Sequence, residues 1–188
     1  MKKVIVFVGL LVFLLAAGCG GGQDAAPDTQ PVHDEENQED QADQGSIETP
    51  VESTISIRPP DGWVKQETSS SELLVHYLKD VASFIVTRGS LAESGDLENY
   101  INVIQQEQMV SAMFDNIVFG DVKNTTVDGY PAKEYDFSCE IAGIGFKYIS
   151  VFLIKDGYSY NFLLGGFPED FAQLENDFRE FLNSVKFE

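Results

Sequence analysis

The sequence predicts an α+β head: an antiparallel sheet of about six strands flanked by helices. Three observations carry that prediction. Asp-Gly pairs at 128–129 and 156–157 sit between alternating apolar runs, a strong short-range hairpin signal. Two stretches, 97–114 and 171–185, repeat apolar residues at helical spacing. At Thr54 the composition switches from an acidic stretch poor in large apolar residues to ordinary core content.

The elements follow in chain order. Lys2 and Lys3 precede an apolar run from Val4 to Ala17, shorter than the roughly 20 residues a spanning helix needs and of the length of a secretory signal. Ala16, Ala17 and Gly18 then lead into Cys19. Small residues alone would suit the cleavage site of a plain secreted protein. Small residues abutting a cysteine resemble the lipobox of bacterial lipoproteins. That resemblance implies a signal peptide over 1–18 and a Cys19 thiol carrying diacylglycerol, with palmitate-type chains in the membrane. Two acyl chains are the minimum for stable anchoring, because each buried CH₂ contributes only about 0.8 kcal/mol.

Residues 19–53 read as a linker. Between Gln23 and Ser53 there are ten acids and no Lys or Arg. Such a stretch buries too little to offset its chain entropy, which predicts disorder and a tether reaching on the order of 30 Å. The whole chain has a formal charge of −19, which makes nucleic acid and bare anionic lipid poor partners.

The expected globular domain is 54–188. "ISIRPPDGW" reads as a short extended piece, then a turn at Pro59, Pro60 and Gly62, ending on Trp63 as a core anchor. "ELLVHYLKD" and "VASFIVTRG" form a hairpin turning at Asp80, with Leu74, His76 and Leu78 on one face and Leu73, Val75 and Tyr77 on the other. A helix follows over "SGDLENYINVIQQEQMVSAMFDN". Asp96 caps it, and its stripe runs through Leu97, Tyr100, Ile101 and Ile104 to Val110, Met113 and Phe114.

Four antiparallel strands come next, turning at Asp128-Gly129, at Ala142 to Gly145 and at Asp156-Gly157. In the second of them Tyr135, Phe137, Cys139 and Ile141 face inward, and Glu134, Asp136, Ser138 and Glu140 face water. The last helix starts at Pro168, with Phe171, Leu174, Phe178, Leu182 and Val185 as its core stripe.

"PPDGW", "VDGYPAKEYDF", "VFLIKDGYSYNF" and "FPEDFAQLENDFREFLNSVKF" together resemble the PsbP-like domain family, of the Mog1/PsbP fold, over about residues 54 to 188. The resemblance implies a sheet-and-helix sandwich. Photosynthetic members are extrinsic subunits of the oxygen-evolving complex, where they help retain calcium and chloride. Members with lipoprotein signals also occur in non-photosynthetic bacteria, and the "GCGGG" start looks like those.

For chemistry, the head has one histidine, His76, and no G-x-S-x-G, H-E-x-x-H or phosphate-binding glycine loop, so the pattern argues against an enzyme and names no catalytic residue and no cofactor. Cys139, left without a disulfide partner once Cys19 is acylated, reads as a buried and inert thiol. Glu134, Asp136, Glu140, Asp121 and Asp128 form the alternative, a calcium- or other cation-binding surface, although no calcium loop motif occurs. The expectation is a lipid-anchored protein on the extracytoplasmic face of the cell membrane. Its head would be a non-catalytic interaction domain for an unidentified envelope protein.

Overall fold

Four hairpins build most of the sheet in the computed structural model, which describes residues 54–90 and 96–188. The expected signal peptide, Cys19 and the acidic linker lie outside the described residues. The strands are β1 (Ile55–Ser56), β2 (Val64–Lys65), β3 (Leu73–Lys79), β4 (Ala82–Ser90), β5 (Asp115–Phe119), β6 (Lys123–Val127), β7 (Tyr130–Ile141), β8 (Ile144–Lys155), β9 (Tyr158–Gly166) and β10 (Lys186–Phe187). Helix α1 (Leu97–Val110) separates β4 from β5, and α2 (Phe171–Ser184) separates β9 from β10.

The fold is α+β, and its turns follow the sequence. Asp128-Gly129, Ala142-Gly143 and Asp156-Gly157 each place two residues at positive φ, as a two-residue hairpin turn of the primed kind requires. The middle turn is shorter than expected: Ile141 pairs directly with Ile144, so Ile144 and Gly145 already belong to β8.

All pairings are antiparallel, in the order β2-β3-β4-β9-β8-β7-β5, with β6 also on β7. The main sheet therefore has eight strands where about six were expected. Short β2 adds one. The other comes from a strand broken in two around Gly120–Val122, where Gly120 N still donates to Asp136 O at 2.8 Å, and both halves line the same edge of β7. A separate ribbon pairs β1 with β10, and Glu188 N donates to Thr54 O at 2.9 Å.

A helix covers each face. Against α2 lie Trp63, Val75, Tyr77, Phe84, Val86, Val151, Phe162 and Leu164, meeting Phe171, Leu174, Phe178, Phe181 and Leu182. Phe84 and Phe181 stack at 3.9 Å with planes 7° apart. Against α1 lie Ile85, Tyr135, Phe137, Cys139, Tyr148, Phe152 and Leu163, meeting Ile101 and Ile104. Fully burying one such side chain stabilises the fold by roughly 1.5–3 kcal/mol. Gly165 and Gly166 let the two layers close on β9: a Cβ on Gly165 would collide with the Tyr148 ring, and one on Gly166 with Leu174.

Three further expectations are corrected. α1 is capped by Asp96, whose side chain accepts from Asn99 N at 2.8 Å, but it stops at Val110. Val110 is 84% exposed, and Phe114 reaches the core from outside the helix, edge-on to Phe137. A β-bulge between Leu73 and Val75 turns Leu73 to the α1 side and Leu74 to the α2 side, so Leu73 does not share a face with Tyr77. Pro168–Asp170 forms a single 3₁₀ turn, and α2 proper begins at Phe171.

Candidate functional site

The residues singled out for chemistry are mostly bound into the fold. Trp63 is a core anchor: it is buried, its ring meets Phe181 edge-on at 5.1 Å, and its Nε1 donates to Asp177 Oδ2 at 2.8 Å. The same oxygen accepts from Lys79 Nζ at 2.7 Å, and Asp177 Oδ1 accepts from Gln173 Nε2 at 3.0 Å. Burial pushes the Asp177 carboxyl up, but these three donors outweigh it and hold it below the usual range. This hub was not foreseen. Its only sequence signal is an acid three residues after Leu174, inside the apolar stripe of α2.

The carboxylates offered as a cation surface are not brought together. Glu134 does not face water: it is buried beside α2, where Arg179 donates from both terminal nitrogens to its two oxygens. That bidentate geometry is the strong form of the contact. Asp136 pairs with Lys147 at 3.4 Å. Asp128 accepts from Lys186 Nζ and, at 3.0 Å, from Phe187 N, and these bonds hold its carboxyl below the ordinary range. Among the described residues, no group of three or more His, Cys, Asp or Glu side chains converges as ligands would.

Cys139 is buried on the α1 side, where burial pushes its thiol up to about 11. His76 is half-buried, with Nε2 3.2 Å from Ser83 Oγ across the β3–β4 hairpin, and burial lowers its pKa. A serine beside a histidine is the start of a nucleophile–base pair, but it needs a third group to orient the ring. Here the histidine sits on β3 and the serine on β4, the second and third strands from the β2 edge of the sheet.

Apolar side chains stay exposed in several places, among them Val64 on β2, Val103, Met109 and Val110 on α1, Val118 on β5, Val122, Tyr130 and Ile144. The registers place Tyr130, Lys155 and Tyr158 at the end that also holds the β1–β10 ribbon, tied there through Asp128. Ile141, Ile144 and Asp115 lie at the opposite end. α1 runs from the first end toward the second. Glu98 pairs with Lys133, the Tyr100 hydroxyl with Ser159 Oγ at 3.1 Å, and Gln108 accepts from the Tyr135 hydroxyl at 3.3 Å. The helix stops before the sheet does. Ile141 and Phe146 are half-covered, Phe146 lies 5.3 Å from Phe167, Ile144 is 44% exposed and Met109 is 55% exposed. Sequence reading missed this surface because it assigned Val110, Met113 and Phe114 to a buried helical stripe.

Neither a protein-family model nor a curated protein sequence matches the chain. Solved structures do. LpqN of Mycobacterium tuberculosis, described as involved in cell envelope biogenesis, is 13% identical over 75% of this chain and 87% of its own, with a TM-score of 0.57. The cyanobacterial PsbP protein of Synechocystis is 9% identical over 79% of this chain and 99% of its own, with a TM-score of 0.52. The fold is therefore PsbP-like, as the sequence resemblance implies.

Proposed function

We propose that this protein is an extracytoplasmic lipoprotein, held to the cell membrane through acylated Cys19, whose PsbP-like head binds another envelope component without catalysing a reaction. One observation carries the reading of the head. Its distinctive polar side chains are spent on internal bonds, while apolar side chains stay exposed on α1, on the edge strands and at the β7–β8 turn, among them Met109, Val110, Val64, Val118 and Ile144. Exposed apolar surface of that kind marks interaction sites in soluble domains. The fold shared with an envelope-biogenesis protein supports an envelope setting, and the acidic linker supplies reach.

Two measurements test this reading. Cells fed an alkyne fatty acid should label the wild type and leave Cys19→Ser unlabelled; equal labelling removes the anchor. Chemical crosslinking in intact cells, read by mass spectrometry, should join the head to a recurrent envelope protein, and its absence removes the binding role.

A further inference from the structure

We propose that the β1–β10 ribbon is a strap, which lifts off while the eight-stranded sheet stays folded and hands extra length to the chain entering at Thr54. The strap belongs to the head and does not depend on acylation of Cys19. Two register pairs, Ile55 with Phe187 and Ser56 with Lys186, join its strands, and neither strand joins the main sheet. An isolated two-stranded ribbon is marginal by itself, so its hold comes from what it packs against.

Two fasteners hold the strap down. Asp128, on the β6–β7 turn, accepts from Lys186 Nζ and, at 3.0 Å, from Phe187 N. At the root, beside buried Val185, Ser184 Oγ accepts from Arg58 N at 3.0 Å. Beyond that root Phe187 lies edge-on to Tyr160, with ring centroids 5.0 Å apart and planes at 76°. Tyr160 is fully buried, and among the described residues its hydroxyl meets no hydrogen-bond partner. A buried hydroxyl left unpaired is destabilising, and lifting Phe187 lets water pair it. The open strap is therefore relieved of a cost that the closed one carries, which sets its opening below unfolding of the whole head. Opening ends at Arg58, because Ser184 holds that residue and Asp177 pins Trp63 beyond it. The four residues from Thr54 to Ile57 then become extended chain, adding up to roughly 14 Å to the tether. A load on the linker enters at Thr54, so it meets the Glu188 N bond to Thr54 O before any strand of the main sheet.

The test is hydrogen exchange read by NMR on the full Cys19→Ser chain, in water and in low urea. The amides of Phe187 and Glu188 should exchange together, through an opening nearly insensitive to urea, while amides of β8 and β9 wait for global unfolding. Tyr160→Phe removes the unpaired hydroxyl and keeps the ring, so it should slow the Phe187 and Glu188 amides by about tenfold. Asp128→Asn suits the same turn but loses the Lys186 charge pair, and should speed both amides several-fold.

A urea dependence of these two amides equal to that of β8 and β9 makes ribbon and sheet one cooperative unit and overturns the strap. Tyr160→Phe exchanging as fast as the wild type overturns it too, since the hydroxyl then has a partner in the closed state. Phe187 and Glu188 responding separately to Asp128→Asn is ordinary fraying of a chain end, and rejects the strap as well.

Discussion

At the scale of single residues, Asp177 and Cys139 make opposite uses of burial. Asp177 is a buried acid kept ionised by three donors. Its native pKa lies below the unfolded value, so its contribution is fully present above the ordinary carboxylate range, near pH 4, and is lost as pH falls through the lower native value. Asp177→Asn should cost about 1–3 kcal/mol at neutral pH, since Asn can still accept from Trp63 but no longer holds the Lys79 charge. The same variant should flatten the acid limb of stability. Urea melts of both proteins between about pH 5 and pH 2 check this; parallel curves would remove the hub from the account.

Cys139 has no such compensation, and a raised pKa leaves little thiolate. In a Cys19→Ser chain it is the sole thiol. A thiol reagent at pH 8 should therefore react only after denaturant is added, and prompt reaction of the native chain would contradict its burial. The inward position of Cys139 was legible because strand alternation is local. The partners of Trp63 and Glu134 were not, because they lie 114 and 45 residues away and only the closed fold brings them close.

At the scale of elements, the two helices do unequal work. α2 packs Phe178 and Phe181, both fully buried, onto Phe84, and Phe181 also touches Trp63 and Tyr77. Phe181→Ala should cost roughly 3–5 kcal/mol, because a cavity among the three rings of Trp63, Tyr77 and Phe84 cannot close. A loss under about 1 kcal/mol in chemical denaturation would mean that the layer collapses around it. α1 is held partly by polar contacts from Tyr100 and Gln108, and its outer side keeps Val103, Met109 and Val110 in water.

Periodicity marked both helices, but it ran α1 on to Phe114. Apolar spacing continues there while the backbone does not: Ser111 is already extended, and Phe114 enters the core along a new path. The bulge at Leu73 escaped for the same reason. A one-residue slip changes which face a side chain takes without changing the composition that sequence reading weighs.

At the scale of the whole molecule, sequence supplied the hairpins and left the order of strands to the structure. β3–β4 and β6–β7–β8–β9 each follow from a turn, but nothing in those turns foretells that β4 docks against β9 and fuses the two pieces into one sheet. That junction places the β1–β10 ribbon and the α1 stop at opposite ends, and so gives the head a polarity that no local motif encodes.

The ribbon has another consequence. With Thr54 and Glu188 one hydrogen bond apart, the head is a ring cut at a single place, and the cut is movable. A circularly permuted head, with Glu188 joined to Thr54 by a few glycines and reopened at the exposed Asp80 turn, should refold cooperatively and keep its melting temperature within several degrees. Circular dichroism melts decide it. Failure to refold would mean that the β3–β4 turn, rather than the ribbon, is where this ring has to stay closed.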